Sequence, residues 1–468
     1  MCSIFITKGF EIEEHRKLSQ HVSIRGLDSS TTVFGEDLIF THHRLPLQEF
    51  SQRQPTFDGS KYYWLVGELY EGYSGDEMMA LNEMLERGLW FNDWEGTLFT
   101  YNESANILQI KVDPLRKRPV FYYQSGNRWI ITNDFSFFRY AQGEPLDNVT
   151  LGIIQRNGFN YTSSTPLVNV KMFGPGNHVV NVSTNKFDFM ELSAYNMRGV
   201  SGLADLKETL ASKIRVATIN RIKRASLTKQ FGTYLSGGVD STFLHAVIND
   251  VMVEGPEKIP AIILWNLCTD EEKANIDWLA RSTSCFDFND FQFEQRSIVD
   301  SIEDVIDWFY LPIDLGSVVA QIQLTKLTAG LREHGYPDLH VVLTGDGADE
   351  FFGGYRRNRD YDSRYYDMFV ELIYYHNLRL DQIPFKRTIE LRAPFQALPL
   401  IPYALLLPYQ ERINKKLFRE VAIEHFGIPR PYMSIKKYPL KILPKEKIAY
   451  QRGLINEFKR SRTNAIHN

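Results

Sequence analysis

The pattern of apolar residues changes character near residue 190, and that change limits the fold more than any single motif does. Before it, short segments rich in β-branched and aromatic residues follow one another at turn-sized intervals: CSIFIT, TTVFG, LIFTHH, YYWLVGELY, ILQIKV, PVFYYQ, RWIITN and NHVVNVS. Such runs, with turn residues between them, predict antiparallel strands in packed layers, with ALNEMLERGLW as the clearest helix among them. The segment AYNMRGVSG then supplies a join in which Ser201 would cap a helix, and Leu203, Leu206, Leu210 and Ile214 recur at helical spacing. Beyond it, strand signals (KQFGTYL, AIILWNL, FDFNDFQF, LHVVLTG) alternate with helical ones, a rhythm that predicts a parallel sheet covered by helices. The expected fold is therefore α+β followed by α/β: a layered antiparallel β domain over residues 1–195 and a parallel-sheet domain over 203–468.

Composition removes several classes of function. A formal net charge of -4 and a pI near 6.3 give no general attraction to polyphosphate, so no nucleic-acid partner is expected. Cys2, Cys268 and Cys285 cannot build a disulfide framework and show no zinc-site spacing, which suits a reducing, cytoplasmic setting. Neither a signal peptide nor an apolar run of bilayer length is visible, so no membrane partner is expected. Partners should be small molecules, with a homodimer compatible with the sequence, and the basic tail FKRSRTNAIHN reads as a solvated end.

Two loops carry chemistry. Ser236-Gly237-Gly238-Val239-Asp240-Ser241 follows a predicted strand and opens a helix. Glycines in that setting let backbone N–H groups approach phosphate oxygens, hydroxyls donate further bonds, and Asp240 can hold a Mg²⁺. The loop is not a Walker A motif, because no GxxxxGK[ST] occurs. The second loop, Leu343-Thr344-Gly345-Asp346-Gly347-Ala348-Asp349-Glu350, also follows a strand, and its carboxylates are costly unless a cation or a proton transfer uses them. The bland alternatives are a capped glycine-rich turn and a solvated acidic turn.

SGGVDS resembles the PP-loop of the ATP pyrophosphatases, and the two loops together resemble the synthetase domain of asparagine synthetases, whose second motif reads SGEGADEIFGGY. The resemblance implies ATP and Mg²⁺ as cofactors. Leu235, Ser236, Gly237, Gly238, Asp240, Ser241, Thr344 and Gly345 would contact ATP or pyrophosphate, Trp265 would lie near adenine, and Asp240 and Asp349 would bind the metal. Asp346 would take a proton from the attacking amine. Glu390 to Phe395 resembles VEARVPFLD, and Lys416 to Arg419 the KxLLR segment. Lys436, with Lys437 as the alternative, would stabilise charge on the activated carboxyl. The family's DEP is replaced by Tyr310-Leu311-Pro312, although Asp314 and Ser317 remain.

The front half resembles the family's class II glutamine amidotransferase domain, an Ntn-type fold with an N-terminal cysteine nucleophile. With Met1 removed, Cys2 would carry its thiol beside a free α-amine. His43-Arg44-Leu45-Pro46-Leu47 resembles HxRLSI, Gly67-Glu68-Leu69-Tyr70 resembles NGEIYN, Glu95-Gly96 the DG of DGxFAF, and Asp113 to Tyr123 resembles RDPLGIRPLYY. Arg44, Val66, Gly67, Glu68 and Glu95 would thus surround glutamine, with Cys2 and Gly67 catalytic. Val66 stands where the family has Asn, whose amide donates to the oxyanion, and losing such a donor costs on the order of 10² to 10³ in rate. The implied activity is AMP-forming synthesis of asparagine from aspartate, ATP and glutamine-derived ammonia through a β-aspartyl-AMP. One alternative is a β-lactam-synthetase-like, lasso-cyclase-like or ammonia-only ligase with an impaired glutaminase half. A second is a nucleotide-binding scaffold without turnover.

Overall fold

The computed structural model describes residues 2–26, 28–45, 53–72, 75–140, 143–191, 203–226, 230–252, 258–293, 298–314, 316–355, 365–436 and 447–464. Ser201 and Lys437, named above, lie outside the described residues, as do Pro46 and Leu47.

Among the described residues, the front half is two six-stranded antiparallel sheets. One runs, in spatial order, Val170–Met172, Phe121–Ser125, Arg128–Thr132, Ser3–Lys8, Leu38–Arg44 and Asp28–Phe34. The other runs Lys186–Glu191, Gly176–Asn181, Ile107–Val112, Trp94–Asn102, Tyr62–Leu69 and Thr56–Phe57. Alternation places Ile4 and Ile6 on one face and Trp64 and Val66 on another, and these meet in a shared apolar core, where Phe40 and Trp64 stack 4.4 Å apart.

Among the described residues, the back half holds a five-stranded parallel sheet in the order Phe286–Phe291, Ile259–Leu264, Phe231–Tyr234, Val341–Leu343, Glu390–Arg392. In chain order this is 3-2-1-4-5, so the direction of winding reverses between Phe231–Tyr234 and Val341–Leu343. Open α/β sheets bind ligands beyond the carboxyl ends of the strands at such a reversal. Both chemistry-bearing loops leave those two strands. The last strand, Glu390–Arg392, falls in a segment singled out above only as a motif; three residues are too few to show a period.

The halves share apolar and ionic contacts. Phe5, Phe135 and Phe138 pack in one cluster with Tyr310, Tyr375 and Phe458, and Arg25 meets Asp381 at 3.1 Å with both side chains fully buried. One further element bears on the site: helix Tyr365–Glu371 passes through a single π turn, Leu372–His376, before continuing as helix Asn377–Gln382.

Candidate active site

The first loop is shaped by what its glycines permit. Gly237 has φ +70°, and an added Cβ would lie 2.2 Å from the Glu272 carbonyl oxygen, so only glycine passes beneath helix Asp270–Ser282. Ser236 Oγ accepts the Gly238 N–H at 3.3 Å and lies 3.1 Å from Ser241 Oγ, which fixes both hydroxyls at the start of helix Val239–Val251. Gly345 of the second loop packs against Asp240, where an added Cβ would lie 3.1 Å from its carbonyl carbon. The loops therefore form one wall. Leu235, Ser236, Gly238, Asp240 and Ser241 join Thr344, Gly345, Asp346 and Asp349 in lining a cavity of about 530 Å³, which Lys436 also lines.

Two expected residues are placed elsewhere. Gly237 does not line the cavity; its carbonyl accepts a hydrogen bond from Asn275 Nδ2 at 2.8 Å, and its role is the close crossing just described. Trp265 does not line it either, because the chain turns after Leu264 into the short helix Trp265–Leu267, and the Lys273 ammonium lies 5.3 Å from the indole centre. Ile262, Leu264, Leu267, Ala320 and Leu324 supply the apolar surface there.

Asp240 and Asp349 converge on one point. Lys415 Nζ bonds Asp240 Oδ1 and lies 2.5 Å from Asp349 Oδ1, with its side chain 3% exposed. Burial pulls its ammonium below the ordinary lysine range, and the Asp240 and Glu350 carboxylates oppose that shift. Asp240, in the first turn of helix Val239–Val251, and Asp349, in helix Ala348–Phe352, are two hard oxygen donors of the kind a Mg²⁺ takes beside phosphate oxygens and water, and the Lys415 ammonium stands between them in this structure. Asn414 and Lys415, both at positive φ (56° and 57°), aim the lysine inward, a backbone cost tolerated at functional sites.

Asp346 reaches the cavity with its side chain 30% exposed; its Oδ1 accepts from Arg379 at 2.9 Å and its Oδ2 from the Thr344 hydroxyl. Burial raises this carboxyl, but Arg379 and Thr344 outweigh it, so it sits below the usual carboxylate range. Glu350 behaves oppositely: burial pushes it up to about 7, against the Tyr355 hydroxyl donating at 2.6 Å.

At the front, Gly67 and Gly96 face each other across paired strands at φ +148° and +125°, and a Cβ on either would lie 2.0 or 2.1 Å from the opposite carbonyl oxygen. Burial pushes the Cys2 thiol above its ordinary value, the Leu45 amide opposes, and Glu68 and Glu390 add to the rise. Arg44, 15% exposed, has Asp28 at 3.9 Å. Three expectations for glutamine binding meet a different arrangement. Val66 is 2% exposed in the core between the sheets, a place that favours an apolar side chain. Glu95, 2% exposed, is taken by Arg118 at 2.9 Å, Lys117 at 3.2 Å and Arg221 at 3.7 Å. Glu68 lies 3.4 Å from Arg392 and 4.0 Å from Arg224, both supplied by the back half.

The signals missed in the sequence are mostly cationic: Lys415, Arg379, Arg221 and Arg392 each reach a carboxylate distant in the chain. Arg392 lay in a motif segment already singled out, ELRAPF, and Arg221 in a segment read only as a helix.

The strand reversal, the paired loops and their cavity define an α/β unit with a ligand-sized site at its switch point, joined to a double antiparallel sheet. Residues 222–369 match the asparagine synthase family model. The chain is similar to asparagine synthetase [glutamine-hydrolyzing] of Gallus gallus, 27% identical over 261 residues, 53% of this chain and 44% of that one. It is likewise similar to asparagine synthetase [glutamine-hydrolyzing] 1 of Bacillus subtilis, 23% identical over 382 residues, covering 74% and 56%. A Methanocaldococcus jannaschii relative that carries the enzyme's designation provisionally is 22% identical over 444 residues, 87% of this chain and 76% of that one. The chain spans about half the length of the chicken and Bacillus relatives, at 44% and 56%.

Proposed function

We propose that the chain is an ATP-dependent, AMP-forming amide ligase whose acid substrate is aspartate. The observation that carries this reading is the convergence of both loops, from the two strands flanking the winding reversal, on one cavity that also holds Lys415 between two carboxylates. The apolar end takes adenine, and the Ser236 and Ser241 hydroxyls face the phosphates. Asp240 and Asp349 would hold the Mg²⁺ that neutralises the departing pyrophosphate. The aspartate side-chain carboxylate attacks the α-phosphorus, and Lys436, which lines the cavity, offsets charge on the activated carboxyl. The amine then attacks the acyl carbon, AMP leaves with the electron pair of the C–O bond, and Asp346 takes the proton. Protein incubated with ATP·Mg²⁺, aspartate and ammonia should yield equal amounts of AMP and asparagine; formation of neither overturns the assignment.

Glutamine is the nitrogen source in the first reading, through a thioester on Cys2. In that case Cys2→Ala abolishes glutamine-dependent synthesis and leaves ammonia-dependent synthesis intact. The ion pairs at Glu95 and Glu68 favour a second reading, in which ammonia is used directly. Glutamine should then give no product beyond that of its contaminating ammonia, and Cys2→Ala should change nothing.

A further inference from the structure

We propose that Arg379 is a positioning residue for the amide-forming step, brought onto the cavity wall by the π turn Leu372–His376 and holding Asp346 where the attacking nitrogen delivers its proton. The inference rests on the ligase reading above and concerns its second half-reaction only. Its basis is helical geometry. Glu371, His376 and Arg379 all line the cavity. In an unbroken α-helix, Glu371 would stand about 140° from His376 and about 80° from Arg379 around the axis. The π turn absorbs one extra residue, which leaves these angles at about 40° and 20° and gathers all three on one face. The Asn377 N–H bonds the Leu372 carbonyl, the i to i+5 bond that defines such a turn.

The turn is braced from the front half. Arg116, fully buried, donates to the Ile373 carbonyl at 2.9 Å and lies over the Tyr374 ring at 4.4 Å, while Asn377 Nδ2 donates to the Leu115 carbonyl at 2.8 Å. Arg379 then uses two arms of its fork. One nitrogen donates to Asp346 Oδ1 at 2.9 Å and the other to Gln321 Oε1 at 3.0 Å, so the motif loop is tied to helix Val318–Leu331, whose Gln321 also lines the cavity. With Oδ1 held by Arg379 and Oδ2 by the Thr344 hydroxyl, the Asp346 carboxylate has one orientation at the cavity. In the step it serves, the amine lone pair forms the C–N bond, the C–O bond to AMP breaks with its electron pair going to the phosphate oxygen, and the ammonium proton passes to Asp346. Lysine keeps the charge but is a point donor and cannot bridge both partners.

The test compares the full-length protein with Arg379→Met and Arg379→Lys in two assays: ATP–pyrophosphate exchange with aspartate, which reads adenylation, and asparagine formation with saturating ammonia. Arg379→Met should keep exchange and the KM for ATP within about twofold and slow asparagine formation on the order of 10²-fold, the range of general-base contributions. Arg379→Lys should recover about tenfold of that loss. Should Arg379→Met not fold, Gln321→Leu, which frees one arm of the fork, should show the same selective loss at about tenfold. Undiminished asparagine formation, or equal loss of both activities in the variants that fold, overturns the inference. If the wild-type protein shows neither exchange nor asparagine, the ligase reading itself falls, and the role of Arg379 with it.

Discussion

At single positions, the same residue is often asked for by chemistry and by packing, and the structure separates the two. Gly67 resembles an oxyanion donor, yet its approach to the Glu95 carbonyl requires glycine whether or not glutamine is ever bound. Gly67→Ala should therefore cost at least about 2 kcal/mol in urea unfolding, from a blocked contact and a positive φ. Gly152→Ala, in helix Asn148–Asn157 with open space around it, should gain up to about 1 kcal/mol; equal effects at the two sites would contradict this. Val66→Asn tests the missing oxyanion donor. It should lose about 1 to 3 kcal/mol by burying an amide among apolar neighbours and release no glutamate from glutamine, because Glu95 stays paired. The motif loops were legible because glycine, serine and aspartate act within a few residues of one another. Lys415 was not: two lysines in INKKLF look like any solvated turn, and the role comes from carboxylates 66 and 175 residues away.

Among the elements, the alternation of strand and helix was plain from periodicity, and with it the carboxyl-end placement of both loops. The π turn was not, since its signature is a backbone bond and not a residue type. Strand Glu390–Arg392 carries the junction's charges: Arg392 Nε donates to Glu390 at 2.7 Å, and its other arm reaches Glu68. The two carboxyls respond in opposite directions. Burial acts on both, but Arg392 and Arg118 hold Glu390 far below the ordinary range, whereas Glu68 is pushed up to about 7, with Glu390 adding to the rise and Arg392 opposing it. A raised carboxyl keeps its proton in the folded protein at pH values where the unfolded chain has lost it. Stability contributed by Glu68 therefore falls as pH rises from the ordinary carboxylate range to about 7, and the loss is complete above that. Glu390 contributes in the opposite sense, its share being present near neutrality and lost in strong acid. Glu68→Gln should exceed wild type in urea midpoint by more at pH 8 than at pH 5; a variant weaker at pH 8 than at pH 5, relative to wild type, would rule this out.

Over the whole molecule, a chain of buried charges runs from front to back. Asp93 and Glu95 meet Arg221, Glu95 meets Arg118, Arg118 meets Glu390 and Asp381, and Asp381 meets Arg25, with every one of these side chains 4% exposed or less. Removing one partner of such a set strands its neighbours, so Arg221→Met should destabilise by about 3 to 5 kcal/mol. It should do so without splitting the transition: tryptophan fluorescence and far-UV circular dichroism should report a single coincident midpoint for both halves, and two separated midpoints would refute the coupling. None of this was visible in the sequence, where the halves read as separable units joined near residue 195, because charge partners 128 residues apart leave no local pattern. The arginines at Glu95 and Glu68 also decide what can be transplanted. A front half taken from another protein and grafted here would meet Arg221, Arg224 and Arg392 without Asp93, Glu95 and Glu68 placed to pair with them. The exchangeable cassette is the double sheet together with the helix and strand that bear those arginines.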